Sequence, residues 1–234
     1  LPGGARQGVN AAHDAGGEPP YCVPHSREPL RIIHADADLL LLRKPDLLLS
    51  VPGRHPRNRD CMITRLQHDF PEARVVHRLD LDTSGIMLVA RGRAAQGALS
   101  RLFQERRVSK DYIAVVAGRV AADGGEVDLP IARDWPRRPR QKICHREGRA
   151  ALTRYRVLAR GEDWTRLLLQ PHTGRSHQLR IHCRELGHPI LGCDLYAPDA
   201  VLGRAPRLLL HASRLAFPHP RSGRTLVGHC APPF

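Results

Sequence analysis

Aromatic residues are scarce, at 4% of 234 positions, which argues against recognition through a long series of stacked rings. No run approaches the roughly 20 consecutive apolar residues of a membrane-crossing helix, so no membrane association is expected. The first twenty residues lack the apolar stretch of a secretory signal, so export is not expected either. The six cysteines, Cys22, Cys61, Cys144, Cys183, Cys193 and Cys230, include no Cys-x-x-Cys pair. They read as small buried residues of a reduced, cytoplasmic chain rather than as a disulfide framework. Neither a Gly-x-x-x-x-Gly-Lys loop nor a Gly-x-Gly-x-x-Gly fingerprint is present, so no nucleotide cofactor is implied. Of 14 histidines, His172, His177 and His182 are spaced by five, which spreads them around a helix, and no metal is expected. Acidic residues are short as well: 23 against 37 basic ones give a net charge of +14. Base-composition drift would enrich Arg in any protein, but an imbalance of this size favours a polyanionic partner, with nucleic acid first.

What is present suffices for one sizeable core, since 41% of residues are hydrophobic. Residues 1–28 show no periodicity and many Gly and Pro, and are expected to form a disordered or loosely packed tail ahead of a domain over 29–234. Residues 31–34 and 39–43 read as strands around the turn Asp36-Ala37-Asp38, and 47–51 as a further extended segment. Asp60 is placed to cap a helix running to Phe70. Residues 86–90 form an apolar strand, and 93–107 carry Ala95, Leu99, Leu102 and Phe103 near one helical face. Residues 110–117, 126–129, 151–159 and 164–170 have strand composition. Ser176 is placed to cap a helix to Leu186 that Gly187 closes, and 208–210, 214–217 and 225–227 add strands. The pattern predicts an α+β fold with a mixed, mostly antiparallel sheet and flanking helices.

Three stretches stand apart. Residues 133–149 hold Arg133, Arg137, Arg138, Arg140, Lys142, Arg146 and Arg149 against Asp134 and Glu147. They read as an ordered basic loop rather than an element, either a solvated charge run or a phosphate-contacting loop with Trp135 as a stacking group. Residues 77–85, His-Arg-Leu-Asp-Leu-Asp-Thr-Ser-Gly, put the Asp80 carboxylate in a turn before a buried strand, near Arg78, Thr83 and Ser84. Such neighbours keep a carboxylate ionised, although an Asp before Thr-Ser-Gly is by itself more often a turn residue. Residues 171–182 lead a turn into a helix whose first N–H groups could seat a phosphate. His177, Arg180 and Arg184 fall on one face of that helix, opposite Leu179, Cys183 and Leu186, and a basic surface helix is the plainer reading.

Taken together these stretches resemble RluA-type pseudouridine synthases. Residues 77–85 match the His-Arg-Leu-Asp-x-x-Thr-Ser-Gly signature, Lys110-Asp111-Tyr112 the Lys-x-Tyr strand, and 173–182 the Thr-Gly-Arg-Ser/Thr-His-Gln segment. Residues 187–192 and 207–212 match two more segments in the same order. Ser50-Val51-Pro52-Gly53-Arg54, Met62-Ile63-Thr64-Arg65 and Asp134-Trp135-Pro136 look like the short dual-specificity members. Those members modify an anticodon-loop uridine in tRNA and a loop uridine in 23S rRNA, and have no S4 domain. The resemblance implies the pseudouridine synthase fold with a central catalytic cleft, a monomer without cofactor, and RNA (tRNA, 23S rRNA or both) as partner. It implies Asp80 as catalytic carboxylate, Arg180 as its ion-pair partner, and Tyr112 as the ring that packs on the target base and handles the C5 proton. Arg78 would fill the space a flipped base leaves, and His77, Arg175, Arg133, Arg137, Arg138, Arg140 and Lys142 are the other expected RNA contacts. One departure is Cys193, standing where many members have Asp, with Asp194 beside it. A non-catalytic RNA-binding or ribosome-assembly protein on the same fold, and a metal-dependent nuclease or deaminase, are the competing readings.

Overall fold

A computed structural model describes Val23 and residues 26–234. Most of the tail expected over 1–28 therefore lies outside the described residues. The described part of it is held: the Val23 N–H donates to Asn58 Oδ1 at 3.1 Å, and the Arg65 guanidinium donates to the carbonyls of Ser26 and Glu28.

The first strands, β1 (Arg31–Ala35) and β2 (Leu39–Lys44), form the expected hairpin. Asp36 Oδ1 makes the turn by accepting the N–H groups of Asp38 at 2.8 Å and Leu39 at 2.9 Å. Residues 47–51 form no strand, because Leu47 takes a left-handed φ of 54°. The helix expected to Phe70 stops early, as α1 (Met62–Leu66). Its cap is Cys61, whose N–H is taken by Thr64 Oγ1 at 3.1 Å, while the Asp60 carboxylate is drawn to the Arg65 guanidinium.

Next come β3 (Ala73–Val75), β4 (Ser84–Arg91) and α2 (Arg93–Gln104). Helix α2 buries Ala95, Leu99 and Leu102 as expected, but ends before residue 107 because Arg106 has φ 57°. Strands β5 (Ser109–Ala117) and β6 (Gly124–Asp128) follow. The expected basic loop is in fact a hairpin, β7 (Ile131–Arg133) with β8 (Gln141–Ile143), around a one-turn helix at Trp135–Arg137. Buried Ile131 and the Asp134 N–H bonded to the Arg140 carbonyl give it the anchor that its charged composition hides. The chain continues through β9 (Leu152–Arg160), β10 (Trp164–Pro171), α3 (Gln178–Glu185), α4 (Asp199–Leu202), β11 (Leu210–Pro218) and β12 (Thr225–His229). The separate strands expected at 208–210 and 214–217 run together in β11, whose register shifts between Ala212 and Arg214.

One ten-stranded sheet runs β1-β2-β4-β11-β5-β10-β9-β6, with β12 on β11 and β3 on β4. Its pairings are antiparallel except that of β4 with β11, which are parallel through Ser84 with His211 and Gly85 with Ala212. The α+β, mostly antiparallel expectation holds. Gly85 is required at this joint: its φ is 123°, and a Cβ there would lie 2.2 Å from the Ala212 carbonyl oxygen. One apolar core gathers β2, β4, α1 and α2; a second lies between β5, β10 and α3. Tyr112 packs against both and marks the seam. Among the described residues no helix is long and apolar enough to cross a membrane.

Candidate active site

The stretch between β3 and β4 brings Asp80 to that seam, and its backbone is clamped on both sides of the carboxylate. Ser50 Oγ donates to the Leu79 carbonyl at 2.7 Å and accepts the Leu79 N–H at 3.1 Å. Lys44, fully buried, donates from Nζ to the carbonyls of Pro45 and Leu48 at 2.7 Å and of Leu81 at 3.2 Å. Burial pushes its ammonium down to about 7, against the pull of Asp46, Asp82 and Asp80. Below the turn, Arg207 donates to Ser84 Oγ at 2.6 Å, and Ser84 Oγ lies 2.7 Å from His211 Nδ1. The Ser84 hydroxyl thus accepts from Arg207 and donates to His211, whose Nε2 reaches the Cys230 carbonyl at 3.2 Å. Burial pushes His211 down to about 4, which keeps this chain of bonds neutral at the imidazole.

Above the clamped loop opens a cleft of about 980 Å³. Asp80 and Tyr112 line it together with Arg78, Arg175, His177 and the basic hairpin. A narrower recess of about 100 Å³ shares Asp80 and Tyr112 and adds Arg180 and Leu210. The three residues expected to carry chemistry therefore meet at one place. Burial, and then the Asp80 charge, push the Tyr112 phenol upward, so it stays protonated at neutral pH.

Arg180 is 2% exposed, which excludes the basic surface helix. Its guanidinium pairs with Asp194 and, at 3.8 Å, with Asp82, while its Nε donates to Cys193 Sγ at 3.3 Å. The expected direct ion pair with Asp80 is not made; Asp80 acts on Arg180 through space. Burial opposes the Arg180 charge, and Cys193, Asp80, Asp194 and Asp82 together raise its pKa in spite of that. Asp194, one residue along, thus supplies the carboxylate that Cys193 lacks.

Other expectations need correction. His77 lines the cleft, but as a neutral ring. Its Nε2 accepts the Leu88 N–H at 2.9 Å, its ring stacks on Phe103 at 4.7 Å, and burial pushes it down to about 3. Ser176 does not cap α3; the cap position is His177, in the left-handed region at φ 56°. Nor is the turn before α3 an open phosphate seat, because Gln178 Oε1 already accepts the Arg175 N–H at 3.0 Å and the Thr173 hydroxyl at 2.7 Å.

The cationic wall is nonetheless real. Burial lowers the Arg175 pKa, and the charges of Arg149 and Arg106 lower it further, so cations crowd this rim. Arg133, Arg138 and Arg140 line the cleft from the hairpin, whereas Arg137 turns to Asp134 at 2.9 Å and Lys142 lies outside the lining. Trp135 is 57% exposed, with the Arg138 guanidinium 4.1 Å and that of Arg133 5.4 Å from its ring centre.

Three further residues were given no role by the sequence. Lys44, just past the strand expected over 39–43, holds the carbonyls described above. Lys110, two positions before Tyr112 and so on the same strand face, donates to the Thr173 carbonyl at 3.2 Å, and burial followed by Arg106 pushes it down to about 8. Tyr196 closes the back of the site, with Oη 2.6 Å from His177 Nδ1.

Comparison with known proteins bears on this arrangement. Residues 38–185 match the family described as RNA pseudouridylate synthase. The chain is 48% identical over 204 residues to the dual-specificity RNA pseudouridine synthase RluA of Yersinia pestis, covering 87% of this chain and 99% of that protein. It is also 48% identical over 199 residues to the protein of the same name from Escherichia coli, covering 85% and 91%. Among solved structures, human RNA pseudouridylate synthase domain containing 1 aligns with a TM-score of 0.76 at 32% identity, over 90% of this chain and 86% of that one. Human RNA pseudouridylate synthase domain containing 4 aligns with a TM-score of 0.70 at 26% identity, over 87% and 88%.

Proposed function

The chain belongs to the RNA pseudouridylate synthase family, and on that premise we propose that it modifies both a tRNA anticodon loop and a 23S rRNA loop, with Asp80 as the reacting carboxylate. It is an RNA pseudouridine synthase, an isomerase that turns uridine into pseudouridine within the RNA chain. Its fold is the pseudouridine synthase fold, and membership in this family decides against the non-catalytic and metal-dependent readings. The dual substrate choice is supported by the 48% identity to the dual-specificity enzymes over nearly their whole length. The assignment of residues rests on one observation: Asp80, Tyr112 and Arg180 converge in a recess at the foot of a basic cleft.

The reaction breaks the N1–C1′ bond, turns the uracil within its pocket, joins C5 to C1′ and releases the C5 proton. Asp80 supplies the anionic oxygen that assists this exchange. The doubly clamped turn holds that oxygen still, which fixes its approach to the ribose and base. Arg180, pinned by Asp194 and Cys193, brings a permanent positive charge beside it without neutralising it in a direct pair. Tyr112 packs on the base as a neutral phenol.

A stacked uridine has to leave its stack to reach Asp80, at a cost of a few kcal/mol. Phosphate contacts from Arg175, Arg133, Arg138 and Arg140 offset it, and exposed Arg78, beside Asp80, occupies the vacated space.

The decisive experiment incubates the protein with tRNA and 23S loop transcripts carrying tritium at uridine C5. One tritium per target loop is released to water by the wild type, and Asp80→Asn binds both RNAs with unchanged affinity but falls by about 1,000-fold or more in rate. Release from one transcript only would overturn dual specificity; full activity of Asp80→Asn would overturn the assignment of the carboxylate.

A further inference from the structure

Family membership assigns no work to His177 or Tyr196, yet their geometry is specific. Tyr196 is 6% exposed. Its oxygen accepts the backbone N–H of Gln141 at 2.9 Å, a group that can only donate. The phenol proton then has one acceptor among the described residues, His177 Nδ1 at 2.6 Å. A buried O–H left unpaired costs roughly 1–3 kcal/mol, so the proton goes to that nitrogen. The imidazole must then carry its own proton on Nε2. The two rings meet edge to face at 5.6 Å, and the guanidiniums of Arg180 and Arg184 lie 5.5 Å and 5.6 Å from the Tyr196 ring centre, which further fixes the phenol. Nε2 has no protein partner among the described residues, and His177 lines both the cleft and the recess that Asp80 lines. His177 sits in the left-handed region at φ 56°, which sets the direction in which its ring leaves the start of α3.

We propose that His177 Nε2–H is a hydrogen-bond donor to a uracil carbonyl oxygen in the reacting complex, and that Tyr196 is the positioning residue that holds it in that tautomer. This rests on the reading of Asp80 as the reacting group. When the N1–C1′ bond breaks, its electron pair goes to the uracil, and the charge spreads to the carbonyl oxygens. A fixed N–H aimed at one of them stabilises the departing base more than the bound uridine, which raises the rate and not the affinity. No proton is transferred from His177. The neutral imidazole suits the role, because burial lowers the His177 pKa against the opposing pull of Asp80. A cation there would instead pair with Asp80 and blunt it.

The test exploits side-chain shape. His177→Asn keeps an acceptor for the Tyr196 hydroxyl at the δ position, suits the left-handed backbone, and removes the cleft donor. His177→Gln returns an N–H near the ε position. Single-turnover rates at saturating RNA, RNA affinity and melting temperature are measured for both, for Tyr196→Phe, and for the Tyr196→Phe/His177→Asn double variant, with wild type and Asp80→Asn alongside. The expected result is a rate fall of about 100-fold in His177→Asn with affinity and melting temperature unchanged. His177→Gln recovers to within about 10-fold of wild type, and Tyr196→Phe slows the wild type by about 10-fold but adds nothing in the His177→Asn background. An unchanged rate in His177→Asn overturns the donor. Independent losses in the double variant overturn the action of Tyr196 through His177. An active Asp80→Asn would instead strike the underlying reading, whatever His177 does.

Discussion

The Asp80 turn and the β7–β8 hairpin face each other across one cleft and are built on opposite principles. The turn is held from beneath by polar groups that are buried except for partly exposed Arg207: Lys44 on three carbonyls, Ser50 on both backbone groups of Leu79, and Arg207, Ser84 and His211 in series. The hairpin has two strands of three residues each, an exposed Trp135, and a short set of links to the body through Ile131, Ile143 and the Gln141–Tyr196 bond. The lesson is a division of labour. Bond exchange demands a carboxylate fixed to a fraction of an ångström, whereas gripping two differently shaped RNAs is served by charge on a lightly tethered arm.

Substitution of Lys44 by Met gives the largest contrast. It strips the partners from three buried carbonyls and should cost about 3 kcal/mol of stability, read as a lower melting temperature together with a slower single-turnover rate. Arg138→Ala in the hairpin should leave the melting temperature unchanged; if it lowers it as much, the two regions do not differ as described.

Acidification should separate them next. His77 and His211 are held neutral in the fold, pushed down to about 3 and about 4, while in the unfolded chain they take up protons near 6.5. Between those values the unfolded state binds more protons, so stability falls as pH drops. The loss from pH 7 to pH 5 should be about 2 kcal/mol for each histidine as an upper figure. Chemical denaturation at the two pH values measures it, and His211→Gln should show a shallower dependence. A slope unchanged by that substitution would remove His211 from the network beneath Asp80.

The smallest effect belongs to the arm itself. Arg138→Ala or Arg140→Ala should weaken RNA binding by about 1 kcal/mol and lower the slope of log affinity against log salt by about 1, with the saturated rate unchanged. Lys142→Ala, outside the cleft lining, serves as the contrasting case and should alter neither. Equal losses from Lys142 and Arg138 would mean that the hairpin acts as a diffuse charge rather than as a lined wall.

How much of this could be read beforehand follows from distance along the chain. Alternation and apolar runs gave β1, β2, β4, β5, β9 and β10, because their signal is local. The signature around Asp80 located the carboxylate for the same reason. The hairpin went unseen since three-residue strands carry no period and its apolar anchors, Ile131 and Ile143, stand singly among charged residues. Helix caps were misassigned at Asp60, whose carboxylate goes to Arg65, and at Ser176, which lies one residue before the cap position His177. The stacking of Phe103 on the His77 ring could not be read beforehand, because the two lie far apart in the chain. The partners of Arg180 and His177 lie between 13 and 19 positions further on, apart from more distant Asp82, and only the folded chain selects Cys193, Asp194 and Tyr196 from their neighbours.

The lone parallel contact, Ser84 with His211 and Gly85 with Ala212, carries a consequence for synthesis. Its halves are 127 positions apart in the chain, so the ribosome must deliver every element up to β11 before the joint can close. A nascent fragment exposes the basic hairpin long before the turn beneath Asp80 has its seat. Such a fragment can touch RNA, including the ribosomal RNA around it, while its carboxylate is still idle.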